Sequence, residues 1–138
     1  MQSSRGKDLA CLLDTDIVID FLRKRDYAGK LLANWAGIGL LAISSLTQLE
    51  IYQGIKTGEE NATNLFLDGL ITIAVDVPIA RRAGRLLGAL RSKGATIGIG
   101  DAIIAATALQ VELPLLTNNV EHYPFANLKV VQGLSPRR

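Results

Sequence analysis

Four short apolar runs constrain this chain more than any other feature: Leu9–Leu13 (LACLL), Ile38–Ile43 (IGLLAI), Leu70–Val75 (LITIAV) and Leu113–Thr117 (LPLLT). Each has strand length and is bounded by turn-compatible residues. Their nearly continuous apolar character means that each strand must be covered on both faces. Lys129–Gln132 reads as a short fifth strand.

Helical patterns lie between the runs. Thr15 or Asp16 can cap a helix through Ile17, Val18, Phe21 and Leu22, and a second helix covers Tyr27 to Trp35. Ser44 or Ser45 can cap a helix carrying Leu46, Leu49, Ile51, Tyr52 and Ile55, with Gly58 as its stop. Glu59 to Leu67 reads as helical. Val77-Pro78 opens a long helix that turns Ile79, Ala83, Leu86, Leu87 and Leu90 inward and ends near Gly94. An Ala- and Ile-rich helix spans Asp101 to Val111. Strands alternating with helices predict an α/β fold, a three-layer sandwich. Its mostly parallel sheet of four or five strands is covered by helices on both faces. Residues 9–133 form one domain, and segments 1–8 and 134–138 are expected to be mobile.

With 49% hydrophobic residues among 138, the chain is not a disordered one. Its single cysteine, Cys11, excludes an intrachain disulfide and reads as a core residue, consistent with a reducing cytoplasm. No run reaches the roughly 18 apolar residues of a membrane span, and the polar start MQSSRGKD lacks a signal-peptide core. A net charge of +2 permits nucleic-acid contact only through a local patch. Arg23-Lys24-Arg25 is one candidate and the RRAGR run at Arg81–Arg85 another, although each taken alone reads first as a solvated helix face.

In open α/β sheets the ligand site lies outside the carboxyl ends of the strands. Asp14 and Asn118-Asn119 fall at that edge, with Asp16 and Ser44 close by. Asp14, Asp16 and Asp20 crowd three like charges into LLDTDIVID, so something positive is needed among them or one must keep its proton. Two further acids stand in apolar settings: Glu50 between Leu49 and Ile51, and Asp101 after the Gly-rich GIGIG. Structural roles compete for each. Asp14 and Asp101 could be helix caps, and Glu50 could lie on a solvated helix face. If Asp14, Glu50 and Asp101 converge, a divalent cation relieves their repulsion. An oxygen-only ligand set suits Mg²⁺ or Mn²⁺, and the lone His122 excludes a multi-histidine zinc site. Hydrolysis of a phosphodiester is the chemistry that follows.

These residues resemble the PIN-domain nucleases, and more closely the VapC toxins of toxin–antitoxin pairs. LLDTDIVIDFL is similar to the first family motif, with Asp14 as its acid and Asp16 at a position where Asn, Asp or Ser often stands. SSLTQLEIYQG resembles the second, with Glu50, and IGIGDAIIAATAL the third, with Asp101. LPLLTNNVEHYPF resembles the fourth, but Asn119 occupies a position where many members carry an acid, and Glu121 is the nearby alternative. The resemblance implies a PIN-like fold and an Mg²⁺- or Mn²⁺-dependent endoribonuclease that leaves a 5′-phosphate and a 3′-hydroxyl. It also implies a homodimer and a small VapB-like antitoxin that occupies the active-site groove. The implied catalytic set is Asp14, Glu50, Asp101 and Asn119, with the three acids on the metal. Thr15, Asp16, Ser45, Thr117, Asn118 and Glu121 stand as rim candidates, and Arg23, Lys24 and Arg25 as RNA contacts.

Two other readings compete. DTDIV also resembles the nucleophile motif of haloacid dehalogenase-like phosphatases, with Asp14 attacking phosphorus. That motif set needs a second acid shortly after Asp101, where this chain has Ile104 and Ala105, and it leaves Glu50 without a role. A catalytically inactive RNA-binding or protein-binding PIN module draws on Asn119 but has no use for three acids in apolar surroundings.

Overall fold

A computed structural model describes residues 8–134, so the segments expected to be mobile fall almost wholly outside the described residues. The first strand, β1 (Leu9–Leu13), leads through Asp14 into α1 (Thr15–Leu22) and α2 (Asp26–Ala36). Next come β2 (Leu40–Ser44), α3 (Ser45–Gln53), α4 (Glu60–Asp68) and β3 (Ile71–Ile73). The chain continues through α5 (Val77–Ser92), α6 (Ile99–Val111), β4 (Leu115–Thr117), a 3₁₀ turn (Val120–His122) and β5 (Val130–Gln132).

All described strand pairs are parallel, and the sheet order is β3-β2-β1-β4-β5. Burial explains why. Leu13, Ile43 and Leu116 face one layer with Ile17, Val18 and Leu32 of α1 and α2. Leu12, Ala42 and Leu115, their neighbours along the strands, face the other with Ile104, Ala105 and Ala108 of α6. Successive side chains point to opposite faces, so a strand covered twice must be apolar at every position. The alanines at 102 and 106 are buried against Ile79 and Ala83, which lets α6 lie close beside α5.

The element boundaries move for local reasons. Asp14, not Thr15 or Asp16, caps α1, with Oδ1 accepting from the Thr15 N–H at 2.7 Å. Strand β2 starts at Leu40, just after Gly39, where the chain passes so near the start of β1 that a Cβ would lie 2.8 Å from the Asp8 carbonyl oxygen. Helix α3 ends at Gln53 with Gly54 as its cap, short of the expected Gly58. Edge strand β3 keeps only three residues, and the Val75 N–H leaves the ladder to donate to Ser45 Oγ at 3.1 Å. Asp76 caps α5, its Oδ1 accepting from the Ile79 N–H. Helix α6 begins at Ile99 with Gly98 as N-cap, so Asp101 sits within its first turn and its carboxylate is not spent on capping.

Candidate active site

The strand order reverses direction between β1 and β4: the chain builds outward from β1 to β2 and β3, then returns to the other side of β1. That switch point opens a crevice at the carboxyl ends of the two strands. Asp14 directly follows β1 and Thr117 ends β4, and Thr117 Oγ1 donates to Asp14 Oδ2 at 2.8 Å. Asp14 is only 6% exposed. Its carboxylate also accepts from the Thr15 N–H and, at 2.8 Å, from the Tyr123 hydroxyl. Burial pushes its pKa up, these three donors oppose the rise, and the charge on Asp101 adds to it.

Glu50 and Asp101 approach the crevice from α3 and α6. The Thr15 hydroxyl donates to Glu50 Oε1 at 2.6 Å and lies 2.9 Å from Thr47 Oγ1, tying α3 to α1. Glu50 is therefore half-buried and held, not on a solvated face. Gly100 of α6 makes room for it, since a Cβ there would stand 3.2 Å from Glu50 Oε2. That places the carboxylate beside the first turn of α6, where the helix dipole favours a negative charge. Asp101 Oδ1 accepts from the Tyr123 hydroxyl at 3.2 Å, and Asp101 Oδ2 lies 3.2 Å from His122 Nδ1. Tyr123 thus bridges Asp14 and Asp101, while Thr15 joins Glu50 to the backbone beside Asp14.

Asp16 organises the other wall. Its Oδ2 accepts from the Asn118 N–H at 2.8 Å and from Asn119 Nδ2 at 3.1 Å, while its Oδ1 is buried without a partner. Burial first, and the nearby Asp14 charge second, push its pKa up to about 6. Asn118 uses its side chain to reach the Tyr27 hydroxyl, which in turn donates to Asp20, and its Oδ1 accepts from the Leu134 N–H at 2.7 Å. Asn119 donates to Asp16 and, from its backbone, to Thr117 Oγ1. Glu121 lines a cleft of about 430 Å³ with Asp101 and His122. Ser45 is turned away from the acids, holding the Val75 N–H.

The basic run divides. Arg23 and Lys24 line a groove of about 370 Å³ whose wall also includes Glu50. Arg25 pairs with Asp20 at 3.7 Å and lies 5.9 Å from the Tyr27 ring centroid. Exposed Arg81 and Arg85 stand on α5.

Among the described residues, no three His, Cys, Asp or Glu side chains gather around one point as a cage. The site offers instead two carboxylates, Asp14 and Asp101, spanned by one hydroxyl, with an unpartnered Asp16 oxygen nearby. Mg²⁺ is commonly held by one or two carboxylates, completed by waters and substrate phosphate, and this donor set fits it. The site residue that the sequence does not reveal is Tyr123. Its only signal is a hydroxyl-bearing aromatic shortly after a strand end, which nothing in the sequence links to Asp14.

A parallel α/β domain with an oxygen-only acidic crevice at its switch point defines the class. The PIN-domain family model matches residues 11–128, and the chain belongs to that family. The phosphatase reading falls with this match; Ile104 and Ala105 are buried core residues, so no second acid follows Asp101 on α6. Ribonuclease VapC19 of Mycobacterium tuberculosis is 39% identical over 114 residues, covering 82% of this chain and 91% of that protein. Ribonuclease VapC10 of the same organism is 37% identical over 130 residues, covering 91% and 98%. Among solved structures, VapBC2 from Rickettsia felis, bound to a promoter DNA fragment, is similar with a TM-score of 0.80 at 28% identity, covering 90% of this chain and 98% of that one. A toxin–antitoxin complex from Klebsiella pneumoniae has a TM-score of 0.78 at 30% identity, covering 91% and 99%. Among the described residues no helix is long and apolar enough to cross a membrane.

Proposed function

We propose that this chain is a divalent-cation-dependent endoribonuclease, the toxin of a toxin–antitoxin pair. The observation that carries the reading is the approach of Asp14 and Asp101 to one hydroxyl at the switch point, in a chain 39% identical to a ribonuclease. Asp14 and Asp101, with Glu50 beside them, would hold Mg²⁺ or Mn²⁺, which when bound would supply Lewis acidity for phosphodiester hydrolysis. The chain's own residues set the stage. Thr117 and the Thr15 N–H orient the Asp14 carboxylate, and the Thr15 hydroxyl orients Glu50. Asp16 holds the Asn118–Asn119 loop against the crevice, which keeps Asn119 at the wall and leaves Glu121 on the outer cleft. Arg23 and Lys24 line the groove beside Glu50 and meet the RNA backbone.

The inhibitor is a small VapB-like protein, a reading supported by the likeness of this chain to solved toxin–antitoxin complexes. An Arg or Lys from it, paired with Asp14, Glu50 and Asp101, would displace the cation. The active form is a homodimer. The homodimer is the assembly that the family resemblance implies. The products carry 5′-phosphate and 3′-hydroxyl ends.

End-labelled cellular RNA incubated with purified protein tests this. Cleavage should require Mg²⁺ or Mn²⁺ and stop with chelator, and Asp101→Asn should lower it by at least about a hundredfold while keeping the fold. Undiminished cleavage by a rigorously purified Asp101→Asn protein would sink the assignment.

A further inference from the structure

We propose that the Tyr123 hydroxyl is a place-holder for the cation: it keeps the Asp14 and Asp101 carboxylates paired in the cation-free protein and so sets how tightly a divalent ion binds. The inference rests on the reading of the site given above.

Tyr123 is 3% exposed, and its ring is packed in the core layer with Leu12 and Leu128. The hydroxyl therefore has a fixed position, 2.8 Å from Asp14 Oδ2 and 3.2 Å from Asp101 Oδ1. A phenol carries one proton. It can satisfy one carboxylate fully or share itself poorly between two, and the unequal distances favour Asp14. Asp14 Oδ2 also takes the Thr117 hydroxyl. Among the described residues no other hydrogen-bond donor reaches Asp101 Oδ1. At neutral pH a phenol is a neutral donor. The hydroxyl lowers the repulsion between the acids without cancelling it. A divalent ion carries enough charge to satisfy both at once, and it must compete with the donor already there.

Removing the oxygen removes the competitor. Tyr123→Phe keeps the buried ring and deletes only the hydroxyl, which leaves no donor shared between the two acids. Mg²⁺ and Mn²⁺ titrated calorimetrically into chelator-stripped protein should bind Tyr123→Phe about tenfold more tightly than wild type. The melting temperature of the cation-free variant should fall, and saturating Mg²⁺ should raise it by more than in wild type. A merely structural tyrosine would lower the melting temperature without tightening the cation. Wild-type binding that Tyr123→Phe leaves unchanged, or weakens, overturns this inference alone. Wild-type protein that binds neither ion overturns it together with the reading of the site.

Discussion

Asp16→Asn should make the cation-free protein more stable at neutral pH, and the gain should disappear in acid. Asp16 Oδ2 accepts from the Asn118 N–H and from Asn119 Nδ2, but Oδ1 is buried without a partner. Burial and the Asp14 charge raise its pKa from 3.8 to about 6. The sign follows from linkage. The folded state holds this proton more tightly than the unfolded chain, so stability is greatest below pH 3.8 and falls as pH rises toward 6. At about 1.4 kcal/mol per pH unit the full cost is about 3 kcal/mol, and partial exposure of the side chain lowers it to about 2 kcal/mol. Asparagine keeps an acceptor for the Asn118 N–H, carries no charge, and does not titrate. Urea unfolding in the presence of chelator at pH 4, 5, 6 and 7 measures the difference. Variant and wild type should be close at pH 4, with the variant ahead by about 2 kcal/mol at pH 7. A difference that stays flat with pH, or a variant less stable at pH 7, would refute the reasoning.

Gly100→Ala should separate stability from activity. Alanine suits a helix better by about 0.4–1 kcal/mol, but its Cβ would crowd Glu50 Oε2, so melting should hold or rise while RNA cleavage falls. An active Gly100→Ala enzyme would show that the position of Glu50 is not critical. Charge reversal at Arg23 and Lys24 together should weaken RNA binding and flatten its salt dependence by about 0.7 for each single-strand phosphate that the pair no longer neutralises. Arg25→Ala should do less, since its guanidinium is already engaged by Asp20; equal effects from both changes would contradict the division of the cluster. Asp76→Ala should cost about 0.5–2 kcal/mol in thermal or urea unfolding, through loss of the α5 cap, and leave the rate of RNA cleavage unchanged.

The strands β1, β2 and β4 are legible in the sequence because double burial imposes an unbroken apolar code on them. Strand β3 is shorter than its apolar run for a related reason: Ala74 and Val75 are apolar, yet an edge strand has a partner on one side only, and the Val75 N–H is satisfied by Ser45 instead. The acids at 14, 50 and 101 stand out because a charge among leucines and isoleucines needs a reason. The groups that link them do not. Thr117 reads as the polar end of a strand, and nothing local says that its hydroxyl meets Asp14 across the parallel ladder. Asn119 reads as a substitute for an acid, but the fold turns its amide toward Asp16. Tyr123 is invisible for the same reason: its partners lie 109 and 22 residues away in the chain, and only the return of the 3₁₀ turn over the crevice brings them together.

Asp14 and Asp101 are proposed as the seat of a divalent cation that acts on RNA. Anomalous diffraction from crystals soaked in Mn²⁺ tests this assignment most directly. A strong peak bound by the Asp14 and Asp101 carboxylates, with Glu50 beside it, is expected, and Asp101→Asn should abolish it. A strong peak elsewhere on the protein, or none at saturating Mn²⁺, would contradict the assignment.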